Sequence, residues 1–156
     1  MSLVDCHILI ILGAGKVMAN KLGFTSALIS IVDDDPFVRD ATDALVRSLG
    51  YGAATFASAE DFIRSDYIHK TACVITDVQM PGLSGVELQR VMIAQGNLVP
   101  VIFITAYANE IVRRSVMEAG AIAYLSKPFD EESLIQHLRT ALATYDAAES
   151  RRRAVR

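Results

Sequence analysis

Short apolar runs alternate with helix-spaced apolar positions along this chain from Ala27 onward. Ala27-Leu-Ile-Ser-Ile-Val32 is almost continuously apolar and ends in Asp33-Asp34-Asp35. Ala72-Cys-Val-Ile-Thr76 ends in Asp77, Val99-Pro-Val-Ile-Phe-Ile104 ends in Thr105, and Ala121-Ile-Ala-Tyr-Leu125 ends close to Lys127. Runs this short, apolar on both faces and rich in β-branched residues, read as buried parallel strands. Gly52-Ala-Ala-Thr-Phe56 is weaker and fits a strand nearer a sheet edge.

The segments between them carry helix signals. Pro36 suits the first turn of a helix with Val38, Ala41, Leu45 and Leu49 on one face, stopped by Gly50. Ser58 stands three residues before Asp61, a weaker capping-box variant, ahead of Phe62 and Ile63. Ser84-Gly-Val-Glu87 is a full capping box opening a helix with Leu88, Val91 and Met92 inward. Residues 108–119 predict a fourth helix, ended by Gly120, and a fifth opens near Asp130 with Leu134, Leu138, Ala141 and Tyr145 on its buried face. Strict alternation of five such units predicts an α/β fold, a single doubly wound (βα)5 parallel sheet covered by helices on both faces.

The polar residues fall in one place relative to this frame. Asp33, Asp34, Asp77, Thr105 and Lys127 all stand at or just beyond the carboxyl end of a predicted strand. In an open α/β sheet those ends share a crevice, so residues far apart in the chain converge there. Carboxylates drawn together repel unless a cation joins them, and oxygen ligands with room for water suit Mg²⁺. A lysine and a hydroxyl nearby are the donors that steady a phosphoryl group in transfer. No Ser-His or Cys-His pair competes as nucleophile, so the residue types predict phosphoryl transfer to an aspartate assisted by Mg²⁺.

Composition narrows the class. The 156 residues, 52% apolar and 21% charged, are enough for one domain with a substantial core and exclude a disordered or collagen-like chain. Cys6 and Cys73 make no CxxC pair and no disulfide framework, so a cytoplasmic location is expected. No apolar run reaches the roughly 18 residues of a membrane span. The net charge of −3 is uneven: residues 27–148 hold nine basic and sixteen acidic residues, whereas Arg151, Arg152, Arg153 and Arg156 crowd the end. An acidic body argues against direct nucleic-acid binding, and the arginines read as a solvated tail or the start of a linker.

Four segments together resemble a known family. Val32-Asp33-Asp34-Asp35-Pro36, Thr76-Asp77-Val-Gln-Met80-Pro81-Gly82, Phe103-Ile-Thr105-Ala106 and Tyr124-Leu-Ser-Lys127-Pro128-Phe129 are similar to the signatures of receiver domains of bacterial two-component response regulators. The order and spacing agree over residues 27–145, and the wording around Asp77 and Lys127 is nearest the nitrogen-fixation and nodulation regulators. The resemblance implies a flavodoxin-like strand order 2-1-3-4-5 and a phosphorylation-dependent signalling switch rather than an enzyme acting on an external metabolite. By it, Asp77 is the phosphoacceptor, taking its phosphoryl group from a sensor histidine kinase. Asp33, Asp34 and Asp77, with the backbone carbonyl of Gln79, are the Mg²⁺ ligands, and Lys127 pairs with a phosphoryl oxygen behind a cis bond to Pro128. Thr105 and Tyr124 are the switch pair, acting on the face of the fourth helix, fifth strand and fifth helix. That face implies self-association as a homodimer on phosphorylation, with transcription regulation as the output.

Other readings stand beside this one. Asp35 reads as a helix cap rather than a ligand, and His7, His69 and His137 share no spacing and read as solvated. The enzyme rival is a phosphatase of the haloacid dehalogenase type, using Asp33 as nucleophile in an Asp33-Asp34-Asp35 start. It needs a further acidic pair, for which only Asp130-Glu131-Glu132 is available, and it leaves Asp77 without a role. Residues 1–26 form an N-terminal extension outside the receiver pattern. Its Ile8–Lys16 stretch resembles a dinucleotide-fold opening, but Met18 stands where the third glycine belongs. Either translation starts at Met18, or the extension packs on the domain or a partner. Residues 146–156 are an Arg-rich tail or linker, of a single-domain regulator or of one cut near Glu149 before an output domain.

Overall fold

The computed structural model describes residues 27–156, so the expectations on residues 1–26, including Cys6, His7 and the Ile8–Lys16 stretch, lie outside the described residues. Five strands, β1 (Leu28–Val32), β2 (Gly52–Phe56), β3 (Cys73–Asp77), β4 (Val101–Thr105) and β5 (Ala123–Ser126), form one sheet. They alternate with α1 (Pro36–Ser48), α2 (Ala59–Arg64), α3 (Gly85–Ala94), α4 (Glu110–Glu118) and α5 (Glu131–Ala154). Every pairing is parallel and the order is β2-β1-β3-β4-β5, the expected one. The chain moves from β1 to β2 on one side and then to β3 on the other, which opens a crevice at the carboxyl ends of β1 and β3.

Strand alternation divides the core in two. Ile29, Ile31, Cys73, Ile75, Ile102 and Ile104 pack with Val46 of α1 and with Leu134, Leu138 and Ala141 of α5. Val32, Val74, Val101 and Phe103 pack on the other face with Phe62 of α2, Leu88 and Met92 of α3, and Val116 of α4. Burial on both faces is why these strands are apolar runs rather than alternating ones. The caps follow the sequence closely. Asp35 caps α1 by accepting from the Phe37 N–H, and Pro36 occupies its first turn. Ser84 and Glu87 close a reciprocal capping box, while Ser58 caps α2 through the Asp61 N–H alone.

Three expectations on helix faces and ends are corrected. In α1 the buried residues are Thr42 and Val46; Ala41 is exposed and Val38, Leu45 and Leu49 are half-buried. The Thr42 hydroxyl donates to the Val38 carbonyl at 2.8 Å, which lets a polar residue occupy a core position. Likewise Gln89 replaces Val91 on the buried side of α3, its amide donating to the Val116 carbonyl at 3.1 Å. Helix α4 begins at Glu110 rather than 108, because Asn109 has extended backbone angles and its side chain caps the Ile111 and Val112 N–H groups. In α5, Leu142 is buried beside Leu134, Leu138 and Ala141, with Tyr145 half-buried. That helix runs on through residues 146–154 without a break, and three arginines in its last turn suit the negative end of the helix dipole. No described helix is long and apolar enough to cross a membrane.

The corrected face of α1 is testable by urea unfolding. Val46→Ala should lose about 2 kcal/mol through lost burial and a residual cavity. Ala41→Gln should stay within about 0.5 kcal/mol of the parent, as exposed helix positions do. Equal losses at the two positions would restore the face read from the sequence.

Candidate functional site

The site stands where strand backbone runs out. The ladder extends one residue past three strand ends: Asp33 N–H donates to the Phe56 carbonyl at 3.1 Å, Val78 N–H to Ile104 at 3.2 Å, and Lys127 N–H to Thr105 at 2.7 Å. Each catalytic candidate is thereby fixed at the edge of the sheet rather than on a free loop. Asp33 and Asp77 are almost fully buried, at 3% and 7% exposure, while Asp34 faces solvent. One carboxylate oxygen from each of these three residues lies within 4.8 Å of the others.

The two buried carboxylates are held alike. Asp33 Oδ1 accepts from the Asp35 N–H at 2.9 Å, and Asp77 Oδ1 accepts from the Gln79 N–H at 3.1 Å. Each is a turn in which an Asp side chain binds the backbone two residues on. Their remaining oxygens meet at one ammonium: Lys127 Nζ lies 3.1 Å from Asp33 Oδ2 and 2.9 Å from Asp77 Oδ2. Burial raises the Asp33 carboxyl above its ordinary value, although the Asp35 N–H and Lys127 both work to lower it. Burial also acts against the Lys127 charge, but hydrogen bonds to Asp77 and Asp33 outweigh it and hold the ammonium above its usual range. The Lys127–Pro128 bond is cis.

Hard carboxylate oxygens clustered at a partly open edge fit a small divalent cation, and Gln79 has its carbonyl outside the backbone hydrogen bonds of the described residues. Asp35 is spent on capping α1, and Asp130 caps α5 through the Ser133 N–H, outside the acidic cluster. The hydrolase rival therefore loses its second acidic pair, and its nucleophile Asp33 is the more occluded carboxylate. Thr105 is buried and its hydroxyl bonds to the Tyr107 backbone rather than to Asp77, accepting from the Tyr107 N–H at 3.2 Å. Tyr124 is half-buried and its hydroxyl accepts from the Asn109 N–H at 3.1 Å, at the start of α4. The cluster thus gathers Asp33, Asp34, Asp77 and Lys127, with Gln79 alongside, and leaves Thr105 and Tyr124 on the neighbouring face.

Two supporting residues escaped the sequence reading. Arg39 reaches back from α1 so that Nη1 donates to the Asp33 carbonyl at 2.7 Å, a contact with no local signal because six residues separate the pair. Gly85, inside the capping box, is buried so closely that a Cβ would overlap the Asp77 carbonyl oxygen. Its N–H donates to the Val78 carbonyl at 3.0 Å, docking α3 directly on the end of β3. A glycine read only as the second residue of a helix start gives no hint of that approach.

Comparison with known proteins agrees with this fold. The family model for the response regulator receiver domain matches residues 29–139. Response regulator protein TmoT of Ectopseudomonas mendocina is 37% identical over 128 residues, 82% of this chain and 58% of that protein. Transcriptional regulatory protein FixJ of Bradyrhizobium diazoefficiens is 32% identical over 124 residues, 80% of this chain and 60% of that one. The structure of the response regulator StyR aligns with a TM-score of 0.78 at 33% identity, covering 83% of this chain and 66% of that one. The FixJ-N crystal structure gives 0.68 at 28% identity, covering 75% and 94%. The fold and the acidic edge define a signalling module of the two-component type. The chain belongs to the response regulator receiver domain family, and it spans a little over half the length of these curated relatives.

Asp33 offers a test of the site's electrostatics. Its folded form binds a proton more tightly than the unfolded chain, so ionising it at neutral pH lowers stability, and that penalty fades as pH falls through the folded value toward the ordinary 3.8. Without added divalent metal, Asp33→Asn should therefore unfold at higher urea than the parent at pH 7, with the advantage shrinking in acid. A variant less stable at pH 7, or an advantage that grows in acid, would refute this account.

Proposed function

We propose that this chain is a cytoplasmic phosphorylation switch in which Asp77 accepts a phosphoryl group from a phosphohistidine of a sensor kinase. The reading is carried by one observation: Asp77, at the end of a central strand, lies 2.9 Å from Lys127 and within 4.8 Å of two further carboxylates. In the transfer, an Asp77 carboxylate oxygen forms a bond to phosphorus as the donor's P–N bond breaks, leaving an acyl phosphate on the protein and a histidine on the kinase. Lys127 stands where it can pair with a phosphoryl oxygen. Asp33, Asp34, Asp77 and the Gln79 carbonyl would hold Mg²⁺, which when bound supplies positive charge against the phosphoryl oxygens. Asp33 accordingly serves as a ligand rather than a nucleophile.

The output is a change on the α4–β5–α5 face, where Thr105 and Tyr124 bias a two-state equilibrium. The hydrogen bond from Asn109 N–H to Tyr124 links that pair to the start of α4. Tyr107 and Ile111, exposed at 73% and 81%, give the face an apolar surface suited to self-association. Control of transcription follows through protein contacts, since the acidic body is unsuited to nucleic acid.

Intact-protein mass after incubation with acetyl phosphate should show one phosphoryl adduct in the parent, present with MgCl2 and lost in Asp77→Asn. Phosphate released over many turnovers, dependent on Asp33 and indifferent to Asp77, would replace this reading with the hydrolase. Adding beryllofluoride and MgCl2 should raise the mass seen by light scattering from monomer to dimer. An unchanged monomer would assign the α4–β5–α5 face to a different protein.

A further inference from the structure

The segment from Val78 to Ser84 joins β3 to α3 and carries Gln79, the one proposed ligand that acts through its backbone. Most of its hydrogen bonds are local to the elements it connects or to β4. Val78 N–H donates to Ile104, Gln79 N–H to the Asp77 side chain, Ser84 N–H to Glu87, and Gly85 N–H returns to Val78. Leu83 is the exception. Its N–H donates to Glu60 Oε1 at 2.7 Å, an acceptor 23 residues earlier and on a different helix.

Both ends of that contact are prepared for it. Glu60 lies in the first turn of α2, which is pinned by Ala59 and Phe62, both completely buried, and by the Ser58 cap. Phe62 in turn packs against the ring of Phe56, with 5.2 Å between their centroids. On the loop side Gly82 has φ +75°, a conformation that favours glycine, and a Cβ there would collide with Glu60 Oε1. The carboxylate thus lies across a bare Cα to reach the next N–H. Chiefly that N–H holds the Glu60 carboxyl below its usual range, so the bond is charge-assisted at neutral pH.

We infer that Glu60 is a positioning residue of the phosphorylation site, tethering the β3–α3 loop to α2 so that the Gln79 carbonyl is held ready beside Asp77. The inference rests on the receiver reading above and extends it to a residue outside the acidic cluster. Glu60 itself ligates nothing: its carboxylate is taken by the loop backbone, and the metal-competent group comprises Asp33, Asp34 and Asp77. Residues that orient ligands without touching a metal change its affinity, and this tether acts on a ligand through two peptide units of loop.

The test uses the full chain, with MgCl2 alone as the probe followed by amide NMR, and acetyl phosphate labelling followed by mass. Glu60→Ala should weaken the MgCl2 midpoint about tenfold, the low end for such supporting residues. Labelling should slow at limiting MgCl2 and recover when MgCl2 is saturating, a loss in binding rather than in the maximal rate. Glu60→Gln, whose side-chain carbonyl can still accept from Leu83, should recover most of the affinity. A purely structural tie would lower the melting temperature and leave the MgCl2 midpoint of the folded protein where it was, and that result overturns the inference. Should Glu60→Ala not fold, Gly82→Ala displaces the carboxylate from the loop side and is read in the same way; an unshifted midpoint again overturns it. A parent protein that takes up neither MgCl2 nor a phosphoryl group refutes the receiver reading itself, an outcome distinct from both.

Discussion

Two carboxylates can lie buried side by side at the carboxyl end of this sheet because one ammonium reaches both. Lys127 contacts Asp33 and Asp77 across sequence separations of 94 and 50 residues, so the contact exists only once the sheet is complete. Asp33 and Asp77 follow adjacent strands, but Lys127 follows β5, which β4 separates from β3. With strands about 4.8 Å apart, only a long side chain spans that gap. The backbone bond from Lys127 N–H to the Thr105 carbonyl sets the starting point of the reach. An unpaired buried charge costs several kcal/mol, which ties the packing of β5 and α5 to the chemistry of β1 and β3.

Within the proposed function, strand alternation then separates chemistry from readout. Asp33 and Asp77 continue the parity of Ile31 and Ile75, which face α1 and α5. Thr105 continues the parity of Val101 and Phe103, and Tyr124 packs with the same cluster facing α2, α3 and α4. Thr105 and Tyr124, the proposed switch pair, therefore sit one pleat away from the carboxylates rather than among them. The pair's side-chain hydrogen bonds here, between Thr105 and the Tyr107 N–H and carbonyl and from Asn109 N–H to Tyr124, all end on the backbone of the loop that starts α4. A rearrangement of that loop is what a partner on the α4 side would feel.

The sequence made the strands, their parallel pairing and the acidic cluster legible, for a common physical reason. Doubly buried strands are written as unbroken apolar runs, and polar residues at their carboxyl ends have few structural excuses. Four caps were legible, Asp35, Ser58, Ser84 and Asp130, each acting within three residues of itself, whereas the equally local Asn109 cap of α4 was not. Positions decided by tertiary contacts carry no such signal. Thr42 and Gln89 took core positions because each found a carbonyl to satisfy it, and Ala41 faced solvent although apolar. Gly85 and Arg39 serve the site through backbone contacts, and no pattern of residue types announces which carbonyl a side chain will find. The four motifs, read as a resemblance, supplied the strand order that periodicity alone left open, and the site roles proposed above.

Within the proposed function, the same charge crowding that makes the site hard to build makes it a useful switch. A modification shifts a two-state equilibrium only by the difference in how it interacts with the two states. Moving a population from mostly one state to mostly the other takes about 5.5 kcal/mol of such difference. Few surface contacts supply that much, because solvent screens them. At this edge, Lys127 already divides itself between two carboxylates at low exposure, so a change in the charge on Asp77 alters its balance with Asp33 without that screening. The consequence passes along the Lys127 backbone, which is bonded to Thr105, the first member of the switch pair. The ion pair that lets both carboxylates lie buried is thus also the element placed to report on Asp77.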